Sequence, residues 1–110
     1  MSEDGGWLHD ILGQIPLLLS ATVAGPSALD DVMTEAAVLR WLEVIGEAAG
    51  HVSAQLRAAH PEVPWADMVG MRNILIHAYR QVEPEHVWRA VERLPELERQ
   101  IHVILEELSE

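Results

Sequence analysis

From residue 28 to residue 59, apolar side chains return at every third or fourth position without interruption. They are Val32, Ala36, Leu39, Leu42, Ile45, Ala49, Val52, Leu56 and Ala59. That period draws one apolar stripe along a helix and is incompatible with the two-residue alternation of a strand. The spacing predicts a single long helix over 28–59. Gly46 and Gly50 lie four apart inside it. Each costs about 1 kcal/mol in a helix interior, so they point to close approach of another helix.

The rest of the chain follows the same rule. Trp7, Leu8, Ile11, Leu12, Ile15, Leu18 and Leu19 predict a first helix over 7–22, with Pro16 kinking or breaking it. Gly25-Pro26-Ser27 is a turn. His60-Pro61-Glu62-Val63-Pro64 closes the long helix, and Pro64 suits the first turn of the next. A third helix is expected over 65–79, a fourth over Pro84–Val91, and a fifth after Leu94-Pro95, carried by Leu97, Ile101, Ile104, Leu105 and Leu108. There is no strand pattern, repeat or low-complexity segment. Short connections between helices favour an antiparallel bundle. The expected fold is all-α, with about five helices in a single domain over 1–110.

Charge narrows the function. Eighteen acidic residues face seven basic ones, all arginine, for a net charge of −11. Non-specific nucleic-acid binding relies on broad phosphate neutralisation, and this chain is built against it. Five arginines, Arg72, Arg80, Arg89, Arg93 and Arg99, fall in the last 40 residues. There, pairing with glutamates on solvated faces competes with a local basic site. The absence of cysteine excludes disulfides and thiolate zinc sites. The longest apolar stretch, Ile15 to Ala21, is broken by Pro16 and Ser20 and falls short of the roughly 20 residues a membrane span needs. The start, Met1-Ser2-Glu3-Asp4, lacks the basic residues of a signal peptide. A soluble, cytoplasmic protein without membrane contact is expected.

One segment is out of keeping with a purely structural helix. Gly70-Met71-Arg72-Asn73-Ile74-Leu75-Ile76-His77-Ala78-Tyr79-Arg80 sets Arg, Asn, His and Tyr on the most apolar helix of the chain. A buried polar head must find a partner or cost free energy. At about 100° per residue, Trp65, Met68, Val69, Ile76 and Tyr79 share a stripe with Arg72 in its middle. Asn73, His77 and Arg80 form a strip beside it. Histidine can move protons near neutral pH. Arginine can hold a phosphate by two hydrogen bonds and stabilise the charge developing on it. In RNA the 2′-hydroxyl can attack its own phosphate, so this set could cleave RNA without a metal or cofactor. The structural alternative pairs Arg72 with Glu43 or Glu47 and leaves His77 on a backbone carbonyl.

Residues 37–105 add a resemblance. Ala37-Val38-Leu39-Arg40, Leu42-Glu43-Val44-Ile45-Gly46-Glu47-Ala48-Ala49, Pro61-Glu62-Val63-Pro64-Trp65, Gly70-Met71-Arg72-Asn73, His77-Ala78-Tyr79, Val87-Trp88 and Leu94-Pro95-Glu96-Leu97 resemble, in order and spacing, the HepT-like branch of the HEPN superfamily. That resemblance implies an all-α HEPN bundle forming a symmetric homodimer. The family's Arg-x4-His-x-Tyr motif maps onto Arg72, His77 and Tyr79, with Asn73 following the usual Arg-Asn pair. Two copies would face each other as a composite ribonuclease site. HepT-like proteins are toxins of toxin–antitoxin pairs. Their partner is a minimal nucleotidyltransferase antitoxin that transfers AMP from ATP to the motif tyrosine, here Tyr79. Ala78 stands where glycine is common, and Arg80 where an aromatic residue is common.

The remaining candidates are weaker. Glu47 and His51 lie one helical turn apart without a third ligand in view, so no metal is expected. His9, His60, His86 and His102 are scattered singly. Trp7, Trp41, Trp65 and Trp88 suit core or interface packing better than base stacking. Three functions therefore compete. The first is an RNase toxin that depends on Arg72 and His77. The second is a non-catalytic module that binds nucleotide or substrate for a nucleotidyltransferase. The third is a purely structural helical dimer.

Overall fold

The computed structural model describes residues 2–109; Met1 and Glu110, the ends of the expected domain, lie outside the described residues. The elements are α1 (Ser2–Ala21), a 3₁₀ turn (Pro26–Asp30), α2 (Val32–His51), α3 (Ala54–Ala59), α4 (Trp65–His77), a second 3₁₀ turn (Tyr79–Gln81), α5 (Pro84–Glu92) and α6 (Leu94–Leu108). The described residues contain no strand, and the all-α expectation holds. The helix α2 is the spine: it packs against α1 on one side and α4 on the other, while α6 closes on α1.

The 28–59 helix is the main correction. It is divided into the first 3₁₀ turn, α2 and α3, which raises the helix number from about five to six. Its apolar period is real, but side-chain caps break the backbone at two points. Asp31, in extended conformation, accepts from the Thr34 backbone N–H at 2.9 Å and the Thr34 hydroxyl at 2.8 Å. That cap starts α2 and holds the Asp31 carboxyl below its ordinary value. At the other end Val52 turns extended (φ −64°, ψ 140°) and Ser53 caps α3 through its hydroxyl to the Leu56 N–H.

The second break is fixed from α1. The buried Asp4 carboxylate accepts the Ser53 N–H at 2.8 Å and the Ser53 hydroxyl at 2.7 Å. This pairing ties the start of α1 to the end of α2, so the two run antiparallel. It also explains why α1 begins at Ser2 rather than near residue 7. Pro16 does not break α1, which runs on to Ala21. Proline in a helix costs about 3 kcal/mol. Leu8, Ile11, Ile15 and Leu18 are each 0% exposed, and burying each such side chain stabilises by about 1.5–3 kcal/mol. Together they outweigh the proline.

The α4 helix stops at His77, two residues short of expectation. Ala78 leaves helical geometry (φ −148°, ψ 40°), and its N–H closes the last turn on the Ile74 carbonyl at 2.8 Å. The cause lies downstream. Pro84 disfavours helical geometry in the residue before it, and Glu83 is extended (φ −86°, ψ 143°). Val82 must also reach the core, so the chain has to turn between 77 and 83. None of the described helices is long and apolar enough to cross a membrane.

Candidate functional site

Arg72 lies on α4 where that helix comes closest to α2. Gly46 makes the approach possible. A Cβ at Gly46 would collide with the Arg72 Cβ and the Met68 carbonyl oxygen. Gly50 is different: a Cβ there would meet only a Val69 methyl at an ordinary 3.7 Å. So one of the two expected close-approach glycines is required by packing and the other is not.

The partner of Arg72 is Glu47, not Glu43. Arg72 Nη2 sits 2.9 Å from Glu47 Oε1, and Arg72 Nη1 donates to Asn73 Oδ1 at 3.0 Å. Glu43 instead faces Arg40 at 3.4 Å. The other oxygen of Glu47 accepts from His51 Nε2 at 3.0 Å. That bond, followed by the charge of Arg72, holds the Glu47 carboxyl below its ordinary value. His51 is stacked on Trp7, ring centroids 4.4 Å apart and planes 16° apart. Glu47 and His51 are therefore engaged with each other and with Arg72. Among the described residues no group of three or more metal-ligating side chains occurs.

His77, Tyr79 and Arg80 present a contrast. All three are exposed, Tyr79 to 60%, and none forms a side-chain hydrogen bond or ion pair among the described residues. Arg80 and Tyr79 sit in the 3₁₀ turn, so helical spacing does not set Arg80 one turn from His77 as expected. The apolar stripe likewise splits. Trp65 and Met68 are buried and Val69 is partly so, whereas Ile76 is 41% exposed and Tyr79 more so; beside the stripe, Leu75 is buried and Ile74 is 44% exposed. The four tryptophans all pack on the core, Trp65 buried and Trp7, Trp41 and Trp88 partly so.

The cavities separate the two faces of α4. The larger, about 550 Å³, is mainly apolar and lies between α4, α5 and α6, with Leu42 and Ile45 of α2 at its back. It includes none of the five motif-region residues. A smaller groove of about 360 Å³ is lined by Arg72 and Ile76 together with Trp7, Asp10, Arg40, Glu43 and Glu47. Of the five, Arg72 lines the smaller and more polar groove, whereas Asn73, His77, Tyr79 and Arg80 line neither. Trp7 and Asp10, from α1, had no signal in the sequence connecting them to Arg72. The only hint toward His51 was its one-turn spacing from Glu47.

Comparison with known proteins identifies the family of the chain. The sequence pattern of the ribonuclease HepT-like family matches residues 14–104, which extends the resemblance into the second half of α1. A "Probable ribonuclease HepT" of Thermococcus cleftensis is 39% identical over 94 residues, covering 83% of this chain and 86% of that protein. A "Putative RNase" of Caldanaerobacter subterraneus is 42% identical over 78 residues, covering 70% and 69%. Another so named, from Methanocaldococcus jannaschii, is 38% identical over 77 residues, covering 69% and 71%. No solved structure matches the chain. With its family pattern spanning α1 to α6, the chain belongs to the ribonuclease HepT-like family.

Proposed function

We propose that the chain is a metal-independent endoribonuclease whose site is built from Arg72 and His77 of two copies in a symmetric homodimer. The observation that carries the reading is the state of the Arg-x4-His-x-Tyr motif. Arg72 is fixed by Glu47 and Asn73, while His77 and Tyr79 stand exposed at the end of the same helix. The similar proteins named as ribonucleases support it. The exposed Ile74 and Ile76 beside the motif offer an apolar surface for a second copy.

In this reading the RNA 2′-oxygen attacks the adjacent phosphorus. A 2′,3′-cyclic phosphate forms and the 5′-oxygen of the next nucleotide leaves. One His77 takes the proton of the 2′-hydroxyl and the other returns a proton to the leaving oxygen, a division that two-fold symmetry provides. Arg72 holds the non-bridging oxygens as their charge grows. Asn73 supports Arg72, and Arg80 adds positive charge near the helix end. Purified protein is expected to cleave RNA without divalent metal, and His77→Ala to fold but not cleave. Full cleavage by a folded His77→Ala protein would remove the assignment.

We infer that this activity serves in a toxin–antitoxin pair in the cytoplasm, as the resemblance to the family implies. Its control would come from a minimal nucleotidyltransferase antitoxin that transfers AMP to Tyr79. The phenol is exposed, and an added phosphate there would compete with RNA for the arginines nearby. Incubation with that nucleotidyltransferase, ATP and magnesium is expected to add the mass of AMP to wild type and not to Tyr79→Phe.

The net charge of −11 favours a second reading. In it the chain is a non-catalytic module that binds nucleotide or substrate for the nucleotidyltransferase. Growth arrest on expression of this chain alone, lost in His77→Ala, separates the two.

A further inference from the structure

An arginine on a helix surface has four side-chain torsions and samples many positions. Arg72 is held by acceptors from two helices, Glu47 Oε1 of α2 at 2.9 Å and Asn73 Oδ1 of α4 at 3.0 Å. Each terminal guanidinium nitrogen carries two N–H groups. Nη1 donates one of its own to Asn73 and Nη2 is ion-paired with Glu47, so N–H groups remain on both, while Nε is buried without a hydrogen-bond partner among the described residues. Those remaining N–H groups can donate to the oxygens of a phosphate.

The hold on Glu47 reaches further. Its second oxygen accepts from His51, and His51 lies flat on Trp7 of α1. The route crosses three helices, from Trp7 through His51 and Glu47 to Arg72. It runs where Gly46 lets α2 and α4 touch, one residue before Glu47. The Glu47 charge does not itself attract RNA; it offsets part of the Arg72 charge. Its contribution to phosphate binding is therefore geometric.

We infer that Glu47 is a positioning residue for Arg72, and that His51, seated on Trp7, holds Glu47 in place. This rests on the ribonuclease reading for its consequence but not for its geometry. Glu43, which lines the same groove and pairs with Arg40, has no such part.

Two measurements test it. The first is nitrogen-15 NMR of the Arg72 guanidinium in the full chain. Glu47→Ala and His51→Phe are expected to average its N–H signals, and Glu43→Ala to leave them as in wild type. Unchanged signals in Glu47→Ala would overturn the inference whether or not the protein cleaves RNA. The second is RNA cleavage. A small misplacement of a reacting group costs on the order of 10–100-fold, and Glu47→Ala is expected to lose that much in kcat/KM. Glu47→Gln keeps an oxygen for Arg72 and is expected to recover most of it. In an Arg72→Ala background, Glu47→Ala is expected to add no further loss, since the two act through one group. A full additional loss there would also overturn the inference. A wild-type chain that cleaves nothing would overturn the ribonuclease reading, and the NMR result would still decide the clamp.

Discussion

The two ends of α4 are built on opposite plans. At Arg72 the helix is pressed against α2, its guanidinium is bound to Glu47 and Asn73, and a glycine opposite makes room for the contact. Five residues later, at His77, the helix ends in solvent. There the histidine, Tyr79 and Arg80 are exposed, and their side chains carry no hydrogen bond or ion pair among the described residues. The first end can be explained as protein architecture. At the second, no hydrogen bond or ion pair among the described residues uses those side chains. A group that binds phosphate benefits from being set in advance, since its position need not be arranged during the reaction. A group that moves protons, or one that a partner enzyme must reach, benefits from access. Under the proposed function, the fixed end would hold substrate and the open end would serve proton transfer and control.

The sharpest way to break that comparison is to substitute one residue from each end. Loss of a positioned acid or base typically removes about 10²–10⁴-fold in rate, and His77→Ala is expected to lose that much cleavage. Its melting temperature is expected to match wild type, because the side chain has no partner to strand. Gly46→Ala is expected to do the reverse. Overpacking a tight contact costs about 1–3 kcal/mol, and the colliding Met68 carbonyl is backbone that cannot swing aside. Its melting temperature should fall by several degrees. A Gly46→Ala protein as stable as wild type would mean that α2 and α4 do not pack at the observed distance.

What the sequence made legible divides along the same line. Helical period identified every major helix, and the motif singled out Arg72, Asn73, His77, Tyr79 and Arg80. Gly46 was readable as a candidate contact, but Gly50 carried the same signal and meets only an ordinary contact, so the structure was needed to tell them apart. Glu47 could be narrowed to one of two candidates but not chosen. Both Glu43 and Glu47 lie near the same face of α2, and only the crossing with α4 decides between them. The breaks at Asp31 and Ser53 were hidden for a different reason. Apolar period survives a one-residue interruption, so the stripe ran on while the backbone did not. Asp4 was read as one more acidic residue of the N-terminal segment. Its buried pairing with Ser53 spans 49 residues of sequence, a relation that no local pattern encodes.

Asp4 gives a smaller test of how the fixed end is supported. Asp4→Ala would leave the Ser53 N–H and hydroxyl without their acceptor, and a stranded buried polar group costs about 1–3 kcal/mol. The helix α1 also carries Trp7, which seats His51. Asp4→Ala is therefore expected to melt at lower temperature and to loosen the Trp7–His51 stack, seen as a change in tryptophan fluorescence. Because the stack lies on the route to Glu47, cleavage should fall modestly in the same protein. Normal melting together with normal fluorescence would show that α1 docks without this cap.

The smallest expected effect is a pH dependence at Glu47 itself. His51, by its hydrogen bond, and then Arg72, by its charge, depress the carboxyl below the ordinary value of 4.5. In the unfolded chain neither partner is in place. A carboxyl whose folded value is the lower one stabilises the fold fully above its unfolded value and loses that contribution as pH falls through the folded value. The pair is exposed, 32% for the Arg72 side chain and 47% for Glu47, so solvent and salt screen it and the effect is modest. Glu47→Gln cannot ionise and has no such dependence. The melting temperatures of wild type and Glu47→Gln are therefore expected to differ most at neutral pH. They should converge as the pH drops below 4.5. The gap should also narrow with added salt, which a difference arising from packing alone would not do. A constant gap across the acid range would mean that Glu47 gains nothing from its charge in the folded state. Its contact with Arg72 would then be one of shape, and the two ends of α4 would differ in packing but not in electrostatics.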